Sequence, residues 1–141
     1  MELEGKVWKE GKEPGWLVEV PYLNVMTQGT SRKNALFMIE DAITLLLEDA
    51  FEGITFKVQI SDYGDGLFGL SCNDDRLLLA LALRRQREMN KVTVREAAKR
   101  LGSSSPNAYA RYEQGRIRPT IQKYEQLLHA VNPRRRGLLI R

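Results

Sequence analysis

The sequence predicts an α+β protein, in which a small antiparallel sheet with one helix (βββαββ) precedes an all-helical bundle. In the first half, apolar and polar residues alternate over short stretches, which is typical of half-buried strands. In the second half, apolar residues recur every three or four positions, which is typical of amphipathic helices. The charge changes sign at the same place: residues 1–75 contain 6 Lys or Arg and 14 Asp or Glu, whereas residues 76–141 contain 16 and 4. We therefore expect the two halves to have different partners.

Three strands and a helix are predicted for the first fifty residues. Residues 3–9, 16–20 and 25–28 favour strands, and Pro21 stops the second of them. A helix is predicted from Arg32 to the glycine at Gly53, with N-cap oxygens offered by Thr30 and Ser31. Its apolar stripe consists of Leu36, Ile39, Ile43, Leu46 and Leu47, and its opposite face carries Glu40, Asp41, Glu48 and Asp49.

A hairpin is predicted to complete the sheet. Residues 54–61 alternate as a half-buried strand, residues 63–66 form the turn, and residues 67–72 return as the partner strand. Asn73, Asp74 and Asp75 are expected to cap a helix over about residues 76–89. Further helices are predicted at about 93–101, 106–114 and 120–131. The resulting domains are an α+β domain over residues 1–73, a helical domain over residues 74–132 and a basic tail over residues 133–141.

The composition argues against several classes of protein. No run of 18 apolar residues is present, and the first residues lack the basic and apolar segments of a signal peptide, so we expect a cytoplasmic protein. The single cysteine, Cys72, excludes an intrachain disulfide, and its apolar neighbours place it in a buried strand. The single histidine, His129, has no partners for a metal site. We expect neither a metal nor a cofactor.

Two short helices joined by a glycine are predicted in the basic half. Ala97, Ala98 and Leu101 form one small apolar face, which allows a second helix to cross closely. Gly102 can adopt a positive φ, and Ser105-Pro106 fits the N-cap and first position of the next helix. This is the helix-turn-helix arrangement, whose second helix enters the major groove of DNA.

Residues 83–131 resemble helix-turn-helix domains of the Xre/Cro/CI type. The matching residues are Leu83-Arg84, Arg87-Glu88, Val92-Thr93, Ala98, Leu101-Gly102, Arg111-Tyr112-Glu113-Gln114-Gly115 and Pro119-Thr120. The resemblance implies that Tyr112 packs in the core and that Gly115 ends the recognition helix. Two features depart from the family: Val94 replaces a glutamine that usually contacts DNA, and the segment from Gly102 to Arg111 is one residue longer.

Five side chains are predicted to contact operator DNA. Ser105, Asn107 and Arg111 are expected to face the groove, because Asn can pair with adenine and Arg with guanine through two hydrogen bonds. Arg116 and Arg118 follow the recognition helix and are expected to contact phosphates, which position the protein without reading sequence.

Several interpretations of the basic half remain open. Tyr109 is either a core residue or a residue whose ring stacks on DNA bases. The basic run Arg134-Arg135-Arg136 is either an arm along the DNA backbone or a solvated terminus. The helices could also form a hairpin that merely packs, with the basic residues as a solvated face. The excess of 16 basic over 4 acidic residues favours DNA binding.

Residues 3–72 resemble the N-terminal domain of HicB-type antitoxins. The resemblance rests on the run from Gly15 to Leu23, on Thr27-Gln28-Gly29-Thr30, and on a following helix with Ala35 and Ala42. Tyr22 replaces the usual aspartate, and no cysteine precedes Thr27. The resemblance implies a partial ribonuclease H-like fold and direct neutralisation of a basic, mRNA-cleaving HicA-type toxin. A homodimer or homotetramer is expected, because the paired half-sites of an operator need a symmetric protein. The acidic face of the predicted helix is one candidate for the toxin contact.

Two alternatives to an antitoxin remain. The first is an orphan DNA-binding regulator whose N-terminal domain dimerises or senses a small molecule. The second is a metal-dependent nuclease, whose chemistry needs several carboxylates around two metal ions. The candidate carboxylates are Glu19, Asp62, Asp65, Asp74 and Asp75. Only the first two belong to predicted strands, and the others fit turns or caps, so we predict a protein without enzymatic activity.

Overall fold

The computed structural model describes residues 1–11 and 15–134. The chain forms two compact units, the first over Met1–Asp74 and the second beginning at Asp75. The first unit contains a five-stranded antiparallel sheet with one long helix, and the second is helical. The predicted α+β class with the order βββαββ is therefore confirmed. Among the described residues, no helix is long and apolar enough to cross a membrane.

The sheet of the first unit has β1 at its centre. The strands are β1 (Leu3–Lys9), β2 (Trp16–Val20), β3 (Val25–Gly29), β4 (Val58–Gly64) and β5 (Leu67–Cys72). Their spatial order is β3-β2-β1-β5-β4, and all neighbours are antiparallel. Helix α1 (Arg32–Ala50) connects β3 to β4. The two edge strands are therefore β3 and β4.

Helix α1 packs on one face of this sheet. The Ser31 hydroxyl accepts a hydrogen bond from the Asn34 N–H at 3.0 Å, as an N-cap does. The helix starts so close to β3 that a Cβ added to Gly29 would lie 2.4 Å from the Ala35 nitrogen, which explains the glycine. The buried stripe of α1 is Ala35, Ile39, Ile43 and Leu47. Leu36 and Leu46, predicted for this stripe, are only half-buried at its margins.

The prediction of a strand from residue 54 was wrong, because β4 begins at Val58. As an edge strand, β4 can pair only with β5, and β5 ends at Cys72, where the chain leaves the sheet. The last links across the pair join Lys57 to Asn73, whose Oδ1 accepts the Lys57 N–H at 2.7 Å. Residues before Lys57 have no strand opposite them, and Ile54 is exposed. The predicted turn narrows to Asp65 and Gly66, both with positive φ, as a tight hairpin requires.

An exposed ion pair joins the start of α1 to β4. The Arg32 guanidinium donates two hydrogen bonds to the Asp62 carboxylate, one of them from Nη2 to Oδ1 at 2.7 Å. The Gly64 N–H donates a third, at 3.0 Å. The bond from Arg32, followed by that from Gly64, lowers the pKa of Asp62 to about 2.

Replacing Asp62 with asparagine is expected to lower the free energy of unfolding at pH 7 by less than about 1 kcal/mol, because exposed pairs are screened by solvent. Since the folded-state pKa lies below the usual value of 3.8, the stabilisation is present above about pH 4 and disappears as the pH falls through 2. Urea unfolding of both proteins between pH 2 and pH 7 measures this. A difference that is the same at both ends of the range would contradict the prediction.

The described residues of the second unit form four helices, α2 (Asp75–Met89), α3 (Val94–Arg100), α4 (Asn107–Glu113) and α5 (Ile121–Val131). Thr93 and Thr120 cap α3 and α5, with their hydroxyls accepting the N–H groups of Glu96 and Lys123. The buried residues of these helices include Leu78, Leu83, Ala97, Ala98, Tyr109, Tyr124, Leu127 and Val131. The expectation that Asn73 caps α2 was wrong, since its side chain accepts from Lys57 instead. Asp75 is the first helical residue.

Candidate nucleic-acid interface

A sharp turn at Gly102 separates α3 from α4. Gly102 has a φ of +81°, and its N–H bonds to the Lys99 carbonyl at 2.9 Å. The following Ser103 N–H bonds to the Ala98 carbonyl at 3.0 Å. These two bonds form a Schellman motif, which ends a helix and reverses the chain direction. The turn lets α4 pack closely on α3, where Ala97 and Ala98 are buried.

Replacing Gly102 with alanine is expected to destabilise the second unit by about 1–2 kcal/mol, the cost of a left-handed conformation for a residue with a Cβ. Open space surrounds the position, so no clash adds to this cost. Lys91, with a φ of +55°, ends α2 in the same way, and Lys91→Gly is expected to act in the opposite direction. Thermal unfolding followed by circular dichroism tests both variants. Equal effects of the same sign would contradict this explanation.

Two of the serines before α4, Ser103 and Ser105, form hydrogen bonds from their side chains to backbone groups. The Ser105 hydroxyl accepts the Asn107 N–H at 3.2 Å, and the Ser103 hydroxyl donates to the Ser105 carbonyl at 2.8 Å. Helix α4 begins at Asn107, one position later than predicted, so Pro106 and not Ser105 occupies the N-cap position. The Ser105 hydroxyl still accepts the N–H of Asn107, the first helical residue. Ser105 is half-buried, whereas Asn107 and Arg111 are exposed on α4. Asn107 and Arg111 are thus better placed than Ser105 to reach a ligand.

Helix α4 ends in a second Schellman motif. Gly115 has a φ of +70°, its N–H bonds to the Tyr112 carbonyl at 3.1 Å, and the Arg116 N–H bonds to the Arg111 carbonyl at 3.2 Å. This glycine therefore ends the helix, as the resemblance implied.

Tyr109, and not Tyr112, is the core tyrosine of α4. Tyr109 is only 1% exposed, while Tyr112 is half-buried, so the reading of Tyr109 as a base-stacking edge was wrong. The expectation that Tyr112 is the core residue was wrong as well. Burial and the nearby Glu113 carboxylate raise the pKa of Tyr109, so this residue stays a neutral phenol.

A part-buried ion pair fixes α4 against α2. The Arg87 guanidinium donates from Nε and Nη2 to the two Glu113 oxygens at 2.7 and 2.9 Å, and from Nη1 to the Val92 carbonyl at 3.0 Å. The two side chains are 16% and 9% exposed. The bond to Glu113 raises the pKa of Arg87. The sequence motif contains both residues, but their pairing across 26 positions was not predicted.

The exposed surface of α3 and α4 is cationic. Arg95 and Lys99 of α3 line a groove of about 380 Å³ together with Ala98, residues 103–105 and Pro106. Arg111 and Arg116 are exposed farther along. The sequence prediction missed Arg95 and Lys99. Their spacing of four residues on a helix adjoining the turn was the available signal.

Arg118, predicted to contact phosphate, has a partner within the second unit. Its Nη2 donates to the Asp75 Oδ2 at 2.8 Å, while 67% of its side chain is exposed. A phosphate would therefore share or replace the Asp75 contact. Of the basic tail, Arg135 and Arg136 lie outside the described residues.

The five carboxylates considered for metal binding do not converge. Asp62 faces α1, where Arg32 binds it, whereas Glu19 alternates with the buried Val18 and Val20 and so lies on the other face of the sheet. Asp65 is in the hairpin turn, Asp74 precedes α2 and Asp75 binds Arg118. In the described part of the chain, no group of three or more His, Cys, Asp or Glu could hold a metal ion.

In comparisons with known proteins, one family model matches the second unit. Residues 78–132 match a family model described as a helix-turn-helix domain, and this range runs from α2 to the end of α5. No curated protein and no solved structure gives a significant match. Helix-turn-helix domains bind DNA by inserting their second helix into the major groove. Residues 78–132 are therefore a helix-turn-helix domain, which indicates a DNA-binding regulator.

Proposed function

We propose that this protein is the antitoxin of a HicAB-type toxin–antitoxin system. In this role its α+β unit binds and neutralises a basic, mRNA-cleaving toxin, and its helix-turn-helix domain represses the operon that encodes both proteins. The observation that carries the proposal is the joining of an acidic α+β unit to a cationic helix-turn-helix domain in one chain.

The repressor role is supported by the exposed cations beside the turn. Arg95 and Lys99 of α3 flank the groove at the start of α4, and Arg111 and Arg116 lie on α4 and just beyond it. Cations that meet phosphates release counterions, which provides affinity, while Asn107 and Arg111 can read base edges. A symmetric dimer would place two copies of α4 on the half-sites of a palindromic operator.

The toxin-binding role is supported by the charge of the first unit and by its resemblance to HicB N-terminal domains. With 14 acids against 6 bases in residues 1–75, this region repels DNA and attracts a basic protein. The separation of Glu19 and Asp62 onto two faces of the sheet favours binding over metal-dependent cleavage.

Co-expression with the adjacent small reading frame tests the proposal. That frame is expected to encode a basic protein that arrests growth, and this chain is expected to relieve the arrest and copurify with the protein. An Arg111→Ala variant is expected to relieve the arrest but to lose repression of the shared promoter, which separates the two activities.

Arrest that persists during co-expression would overturn the antitoxin role. If the chain still protects a specific promoter fragment from nuclease digestion, an orphan regulator is the better description. Cleavage of an RNA–DNA hybrid with Mg²⁺ or Mn²⁺, lost in Glu19→Ala, would instead identify a nuclease.

A further inference from the structure

Helix α1 exposes large apolar side chains on the side that faces away from the sheet. Phe37 is 62% exposed and Leu45 is 57% exposed, and Asp41 lies between them at helical spacing. Glu48 continues this row, which we call the α1 outer face (Phe37, Asp41, Leu45 and Glu48). The row spans about 16 Å, given a rise of about 1.5 Å per residue. Single exposed apolar residues are ordinary, but two large ones on one row, with Asp41 between them, form a small apolar patch that a partner can cover.

The charge around this face is mostly negative. Residues 34–56 contain five acids and no Lys or Arg, and the basic residue nearest to this segment at its start is Lys33, one turn before Phe37. DNA would be repelled by such a surface. A second copy of the chain would bring the same acids against each other, which disfavours self-association through this face. A basic protein fits the charge.

The charged residues at the two ends of α1 interact unfavourably with the helix dipole. Negative charge stabilises the start of a helix and positive charge stabilises its end. The first turn of α1 contains no acid and its last turn contains no base. Arg32 and Lys33 stand at its start, and Glu48 and Asp49 stand near its end. This arrangement costs stability in the free protein, and a cationic partner would offset the cost.

We propose that the α1 outer face is the surface that binds the basic toxin partner. Phe37 and Leu45 enter apolar depressions on the toxin, while Asp41 and Glu48 pair with its Lys or Arg side chains. This inference rests on the proposed antitoxin function and identifies the toxin-binding surface within it.

The apolar contribution is tested with the full chain and the purified product of the adjacent reading frame, by isothermal titration calorimetry. The double variant Phe37→Ala, Leu45→Ala is expected to raise the dissociation constant at least about 30-fold, as the loss of central apolar contacts does. Alanine preserves the helix. Met26→Ala on the edge strand β3 removes a side chain of equal exposure, 57%, and is expected to leave binding unchanged.

The electrostatic contribution is tested by charge reversal. Asp41→Lys with Glu48→Lys is expected to slow association at least about tenfold at low salt, with a smaller effect at high salt. The control, Glu96→Lys with Glu125→Lys, changes the net charge by the same amount at exposed positions of the second unit. It is expected to preserve most of the association rate.

Three outcomes would overturn the inference. Unchanged toxin binding by both outer-face variants would reject this surface while leaving the antitoxin function intact. Absence of toxin binding by the unmodified chain would reject the function and the surface together. A change in the oligomeric state of the free chain in Phe37→Ala, Leu45→Ala, measured by light scattering, with unchanged toxin binding, would assign the face to a second copy.

Discussion

Replacing Glu113 with alanine is expected to destabilise the helix-turn-helix domain by about 1.5–3 kcal/mol, the usual cost of removing hydrogen bonds from a charged group that is mostly shielded from solvent. The Arg87 side chain is 16% exposed, and its guanidinium donates two hydrogen bonds to Glu113. Without the carboxylate, the Arg87 cation keeps its bond from Nη1 to the Val92 carbonyl but loses both bonds to Glu113. Since α4 carries Asn107 and Arg111, we expect operator binding to be lost with the fold of this domain.

An exposed ion pair on the same helix provides a matched control. Arg84 Nε lies 3.0 Å from Glu88 Oε1, and the two side chains are 46% and 51% exposed. Glu88→Ala is expected to cost less than about 1 kcal/mol, because exposed pairs gain little from their attraction in water. The two substitutions remove the same side chain from ion pairs that differ in burial.

Urea unfolding followed by circular dichroism measures both variants. Both tryptophans, Trp8 and Trp16, belong to the first unit, so tryptophan fluorescence reports separately on the α+β fold. A third variant, Arg87→Met with Glu113→Leu, removes both charges and is expected to recover most of the stability. Equal costs for Glu113→Ala and Glu88→Ala would show that burial of the Arg87 pair contributes nothing.

The elements that were predicted correctly are those whose signal is local. Strand-favouring residues bounded by turn signals and Pro21 marked β1 and β2, the change to helical spacing marked α1, and Gly102 marked the turn between α3 and α4. The start of β4 was predicted too early, because it depends on where the neighbouring strand β5 ends, and the residues of β4 alone do not show this. Apolar periodicity identified Ile39, Ile43 and Leu47 as part of the buried stripe of α1. It did not identify Phe37 and Leu45 as exposed, because α1 has apolar residues on more than one side.

The polar contacts of the candidate site were the least predictable. Glu113 and Arg87 are 26 positions apart, and Arg118 and Asp75 are 43 apart. Each residue alone fits an ordinary solvated position, and only the packing of α2 with later parts of the chain brings the partners together. The exposure of Asn107 and Arg111, by contrast, follows from helical spacing once Tyr109 is buried, since positions two residues away lie on other sides of the helix.

Two arginines of the helix-turn-helix domain are expected to contribute to DNA binding in different ways. Arg111→Ala is expected to lower discrimination between the operator and random DNA by about 1–3 kcal/mol, because an arginine that reads guanine carries sequence information. Arg118→Ala is expected to weaken binding to all sequences alike and to reduce the slope of log affinity against log salt by about one, because a phosphate contact releases a counterion.

The bond between Arg118 and Asp75 adds a third expectation. Because the Asp75 carboxylate competes with phosphate for the Arg118 guanidinium, Asp75→Asn is expected to strengthen binding to random DNA. In the double variant, Asp75→Asn with Arg118→Ala, this gain is expected to be lost. Arg84→Ala, on α2 and outside the turn, removes the same charge and is the control for net charge alone. Fluorescence anisotropy at several salt concentrations, with operator and random duplexes, measures the four single variants and the double variant. An operator footprint and salt slope unchanged by both Arg111→Ala and Arg118→Ala would reject α4 as the helix that enters the groove.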